Sequence, residues 1–201
     1  MRALVIVALC GAADGTQAAG AEVPRALPGL AVPTHAKDCL TSGDGYFRAQ
    51  LGGAINATID WPNAGTRCEG ESREKPPGVR LSFQRAHARS TDLLFVFGIT
   101  GVREGEPAHT TGVNVTVIVQ GTSRIYGTLG DSRCMVDSLT QRPLQAKGSY
   151  RVEARGFCTQ PAHAVRGKDA VLVSTFEFAG LVVYDAPSND AGPAAGLVTS
   201  K

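Results

Sequence analysis

Charge of either sign is not in excess in this chain: 20 Lys and Arg stand against 18 Asp and Glu among 201 residues. The cations are spread out rather than clustered, which excludes a nucleic-acid binder, since such proteins need a basic patch to displace condensed counterions. No apolar run approaches the roughly 20 residues of a membrane-spanning helix, so the mature chain is expected to have no transmembrane segment. Cys-x-x-Cys pairs are absent, which removes the usual zinc and thioredoxin-like signatures. His35, His87, His109 and His163 lie in separate polar segments, without the His-x-His or His-x-x-x-His spacing that aims two nitrogens at one metal. No Gly-x-Ser-x-Gly elbow occurs, and Gly130-Asp131-Ser132 has no Asp-x-x-His downstream. No catalytic residue, metal or cofactor is expected.

What is present points to export. Met1-Arg2 followed by the apolar stretch Ala3 to Cys10, with Ala19-Gly20-Ala21 as small residues for a signal peptidase, reads as a signal peptide over residues 1–21. Cleavage is expected before Glu22, and a periplasmic or secreted bacterial protein follows. Val7-Ala8-Leu9-Cys10 offers a lesser alternative, lipid anchoring at Cys10, although Leu9 is large for that position. Four cysteines then remain, an even number in an exported chain. Sequence order favours Cys39–Cys68 and Cys134–Cys158, each contributing roughly 3–4 kcal/mol in the chain-entropy model.

Residues 22–38 carry Pro24, Pro28 and Pro33 and read as a linker, 39–185 as one domain, and 186–201 as a flexible tail. Within the domain the apolar period is 2. Gly45 to Leu51 and Ala54 to Trp61 form a hairpin across Gly52-Gly53, and Val79 to Gln84 alternates cleanly. Leu93 to Ile99 is apolar on both faces, which predicts a central strand covered on both sides. Gly112 to Gln120 has valines at every second position, Ser123 to Leu129 follows a tight turn, and Ser149 to Cys158 alternates again. Val171 to Tyr184 closes the domain, with Gly180 marking a bulge or bend. The stretches 61–78, 100–111 and 129–148 read as long loops, the last with one helical turn over Met135 to Leu139. No 3.6-residue stripe persists, so the fold class is all-β, an antiparallel β-sandwich of about eight or nine strands, with a β-barrel as the alternative.

Counting strand directions brings the three long loops to one end, where a rigid scaffold would present binding residues. Trp61, Asn63, Arg103, His109 and Asp131 are the ligand-binding candidates there. Trp61 also shares the inward phase of Ile55, Ala57 and Ile59, which makes it a core aromatic on alternation alone. The same count separates Cys134 from Cys158 by the length of a strand, in conflict with their pairing. Arg48, Arg80, Arg151 and Arg155 take outward phases and predict a basic stripe. Glu177, inside an apolar run, must face outward or find an arginine. Asn56 and Asn114 fit glycosylation sequons but are assigned to strands and to chance.

The functional expectation is a non-catalytic binding or accessory module of the bacterial envelope, presenting long loops to an envelope glycan or to another exported protein. One alternative is a polysaccharide hydrolase using paired carboxylates drawn from Asp60, Glu69, Glu104, Glu106, Asp131 and Asp137. Another is an inhibitor or assembly factor that binds a protein. Intact-mass analysis of the secreted protein with and without reduction, followed by mapping of the linked peptides, is expected to give a mature start at Glu22 and two disulfides. Free thiols throughout would overturn the exported assignment.

Overall fold

A computed structural model describes residues 38–85 and 93–184. The expectations for the signal peptide, Cys10, His35, His87 and the tail lie outside the described residues, as does most of the linker.

The described chain is all-β. Eleven strands run in order: β1 Tyr46–Gly53, β2 Ala57–Pro62, β3 Thr66–Glu74, β4 Pro77–Arg85, β5 Leu93–Thr100, β6 Ala108–Val119, β7 Ile125–Gly127, β8 Cys134–Pro143, β9 Ser149–Cys158, β10 Ala162–Ala164 and β11 Ala170–Val183. A front layer, β2-β1-β11-β9-β8, packs on a back layer, β3-β4-β5-β6-β7. The layers join at both edges, through β6–β8 and through a single parallel pair, Val183 with Glu71, and β10 bridges β7 to β11. This is an antiparallel sandwich whose strands close into a ring, with three strands more than the eight alternating runs of the sequence.

The core explains the layers. Phe47 on β1 points inward and meets Phe83, Phe95 and Phe97 of the back layer at centroid separations of 5.0, 4.6 and 5.7 Å. Phe178 and Phe176 of β11 continue the contact onto Phe83 and Phe97, both at 4.9 Å. Valines of β6, at Val113, Val115, Val117 and Val119, are fully buried beside them, as period 2 requires. Gly180 keeps its register with Val152, and the irregularity of β11 falls instead where Gln50 meets Thr175 and Leu51 meets Val173. What Gly180 supplies is space: a Cβ there would lie 2.9 Å from the Phe83 ring.

Two expected loops are strands, for legible reasons. β3, at 66–74, has Thr66, Cys68, Gly70 and Ser72 on its inward phase, too little apolar content to announce a strand. In β8 the inward residues are Cys134, Val136 and Leu139, because the register shifts between Val136 and Ser138. That bulge changes an apolar spacing of two into one of three, which imitates a helical turn over Met135 to Leu139. The extra strand β8 also removes the cysteine conflict, since Cys134 and Cys158 face each other across β8 and β9 with Cα atoms 3.9 Å apart. Both expected disulfides form; Cys39–Cys68 has a Cα separation of 4.7 Å. Such bridges point to an oxidising, exported setting.

Other expectations are corrected by the same topology. With 61–78 and 129–148 largely in strands, the end built of three long loops does not exist. β5 is covered on one side only: Leu94 and Val96 lie half-buried on the outer surface of the back layer. The basic stripe is broken, because Glu177 separates Arg48 from Arg155 in the front layer while Arg80 lies in the back layer. Asn56 sits in the β1–β2 turn, accepting from Gly53 N at 3.2 Å, rather than in a strand.

Gly180→Ala is expected to cost about 1–3 kcal/mol, because the added methyl must displace a ring in a packed interior. Urea midpoints of the two proteins measure it, and an unchanged midpoint would refute the Phe83 contact.

Candidate functional site

The outward faces of the front layer form a trough of about 480 Å3 to which β2, β1, β11, β9 and β8 all contribute. Two cross-strand rows build it. In one, Asp60, Arg48, Glu177 and Arg155 are successive register partners, and Asp137 at the β8 bulge extends the row. In the other, Thr58, Gln50, Thr175, Phe157 and Met135 follow one another. Register partners on one face lie close enough to touch, and several do. Arg48 donates to Asp60 and to Glu177, each at 2.9 Å, and its guanidinium stands 5.0 Å from the Tyr46 ring centroid. Thr58 Oγ1 donates to Gln50 Oε1 at 3.0 Å. Hydrogen bonding to Glu177 and to Asp60 holds the Arg48 guanidinium above its ordinary value.

The trough is nearly neutral, with two arginines facing three carboxylates over a lining that is more apolar than polar. Of the two phenylalanines in its lining, Phe176 is buried and Phe157 is half-exposed. Six of the chain's seven phenylalanines join the ring contacts of the core, and Phe157 is the seventh. Spanning five strands at ~4.8 Å each gives a width of about 20 Å.

Beyond this row Arg151 is nearly buried, which demands compensation. Its Nε lies 2.7 Å from Asp44 without hydrogen-bond geometry, and Nη1 donates to Glu153 at 2.6 Å. Burial opposes the Arg151 charge, but the Glu153 hydrogen bond and the field of Asp44 outweigh it and hold the guanidinium above its ordinary value. A Ser42 hydrogen bond, with Arg151 adding to it, holds Asp44 low. The segment 38–45 therefore caps one end of the front face, and Cys39–Cys68 fixes it.

The five candidate residues do not assemble. Trp61, on β2, packs half-buried against Phe47 and Phe95 at 5.4 and 5.5 Å, as its phase implies. Asn63 is buried and spends its amide on the chain: Oδ1 accepts from Leu40 N and Gly45 N, and Nδ2 donates to Leu40 O. Arg103, in the β5–β6 loop, is exposed, with its carbonyl accepting from Gln141 Nε2 at 2.6 Å. His109 is exposed on β6 opposite Ser138, and Asp131 accepts from Thr100 Oγ1 at 3.2 Å. Trp61 and Asn63 thus belong to the β2–β3 corner, while Arg103 lies in the β5–β6 loop, His109 on β6 and Asp131 in the β7–β8 connection. Of the carboxylates considered together, only Asp60 and Asp137 share the trough. Among the described residues no group of three or more His, Cys, Asp or Glu side chains could hold a metal ion. The trough was missed because its residues are ordinary outward positions. Only the pairing of β11 with both β1 and β9 makes them one surface.

Fold and surface together define a disulfide-bonded all-β sandwich with an open, nearly neutral trough on one sheet. No family model, curated protein or solved structure matches the chain.

Gln141 organises the opposite edge. Its Nε2 donates to Arg103 O and Glu106 O at 2.6 and 2.7 Å, and its Oε1 accepts from Tyr184 Oη at 2.8 Å. Burial pushes the Tyr184 phenol from 10.0 up to about 12, against the Gln141 hydrogen bond. A raised value favours the neutral phenol, so its stabilisation is full below pH 10.0 and is lost as pH rises through about 12. Across that window the stability from urea unfolding is expected to fall more steeply for the wild type than for Tyr184→Phe, by about 3 kcal/mol in total. Parallel curves would refute it.

Proposed function

We propose that this is a non-catalytic binding module of the bacterial envelope whose site is the front-layer trough and whose ligand is a hydroxyl-rich glycan segment. The observation that carries the reading is the make-up of the trough. Thr58, Gln50, Asp60 and Glu177 offer closely spaced donors and acceptors, and Phe157 offers a flat apolar surface for the face of a sugar ring. Near-neutrality suits an uncharged polymer better than an anionic one, and a width of about 20 Å suits several residues of a chain better than a small metabolite. The two disulfides are consistent with periplasmic or secreted placement.

A binding role is favoured over hydrolysis because Asp60 and Glu177 both accept from Arg48. Asp137 is then the one carboxylate of the row outside an ion pair among the described residues, where glycoside cleavage requires two working acids. A loop-presenting inhibitor or assembly factor is disfavoured because β3 and β8 occupy most of the stretches it would use. Electrophoresis of the protein through gels holding single soluble polysaccharides, neutral and acidic, tests the proposal. Retardation by a neutral polysaccharide, reduced about tenfold in affinity by Phe157→Ala with an unchanged melting temperature, is the expected result. No retardation by any of the panel, or equal retardation of wild type and Phe157→Ala, would overturn it.

A further inference from the structure

A second surface lies on the back layer, where β7 meets β10. Leu94, Ile118 and Ile125 are successive register partners on the outward face, and Val165 N donates to Ile125 O at 2.8 Å, extending the row. The Leu129 side chain lies over Gly127, which shares the face of Ile125 by strand alternation. Leu129 is 76% exposed and Val165 65%.

Leu129 is also in the left-handed region, with φ at +52°. Its neighbour Thr128 is buried and fixed: its N donates to Val115 O at 3.0 Å, and its hydroxyl accepts from Val115 N and donates to Gly130 O, both at 3.0 Å. The chain is thereby obliged to turn outward at Leu129. Folding itself would select glycine or asparagine at such a position, and an exposed leucine gains nothing from burial. The residue opposes both local preferences.

Cations surround these aliphatic tips. Arg124 precedes Ile125, while Arg166 and Lys168 follow Val165 in the β10–β11 turn, and all three are exposed. Among the described residues none of them joins an ion pair. The one acid in that turn is Asp169.

We infer that this corner docks onto an anionic lipid bilayer. Ile125, Leu129 and Val165 enter the boundary between headgroups and acyl chains, and Arg124, Arg166 and Lys168 engage the lipid phosphates. Charge complementarity selects that occupant. Three exposed cations that join no ion pair among the described residues flank Ile125 and Val165 in sequence, and lipid phosphates supply the opposite charge.

The test is sedimentation of the disulfide-intact protein with vesicles of phosphatidylcholine alone or mixed with phosphatidylglycerol. The protein is expected to sediment with the mixed vesicles, and less so as salt is raised. Leu129→Asn is expected to weaken partitioning about tenfold while its melting temperature holds or rises, since asparagine tolerates the backbone angle. Arg166→Glu with Lys168→Glu is expected to lose the preference for phosphatidylglycerol. Wild-type protein left in the supernatant with mixed vesicles would overturn the inference, as would Leu129→Asn sedimenting like the wild type. A dimer seen by ultracentrifugation and abolished by Leu129→Asn would assign the surface to a second copy instead and overturn it equally.

Discussion

The contact of Phe47 with Phe83, Phe95 and Phe97 is the constraint on which the remaining structure depends. It joins the layers through their centre, and because strand side chains alternate, fixing Phe47 inward fixes Arg48 and Gln50 outward. A slip of one residue in β1 would bury Arg48 and expose the ring. The trough is therefore a consequence of the core: its polar rows are the other phase of strands whose first phase is aromatic. Phe157 departs from that division, since it is the one phenylalanine given to the outer phase.

Closing the ring leaves two edges with backbone groups to satisfy, and the chain uses a primary amide at each. Asn63 donates and accepts at once toward the entry segment, and Gln141 does the same between the β5–β6 loop and Tyr184. An amide is suited to this because it carries donors and acceptors on one planar group and no charge to desolvate. Gly45 belongs with Asn63: a Cβ there would fall 2.5 Å from Asn63 Oδ1. These residues look like ligand contacts in a sequence, being polar and set in irregular stretches. Their partners are internal.

The front and back outer faces divide the surface chemically. The trough is a ladder of alternating charges that neutralise one another across strands, with Arg48 shared between Asp60 and Glu177. At the β7–β10 corner Arg124, Arg166 and Lys168 join no ion pair among the described residues and stand near exposed aliphatic side chains. The two faces differ in charge balance, and the core between them is common to both.

Strand periodicity, export-type cysteine usage and the inward phase of Trp61 were determined by the sequence alone, because each depends on local alternation or on counting. The disulfide pairings followed from order along the chain. Tertiary structure alone decided the rest. β3 carries too few apolar residues to be seen as a strand, and the Asp137 bulge disguises β8, so the loops imagined at one end dissolved into sheet. The trough could not be read because its rows join residues as distant as Asp60, Glu177 and Arg155, brought together only when β11 pairs with β1 on one side and β9 on the other. Alternation tells which face a side chain takes. It does not tell which strands lie side by side, since that is settled by the nonlocal packing of the two layers.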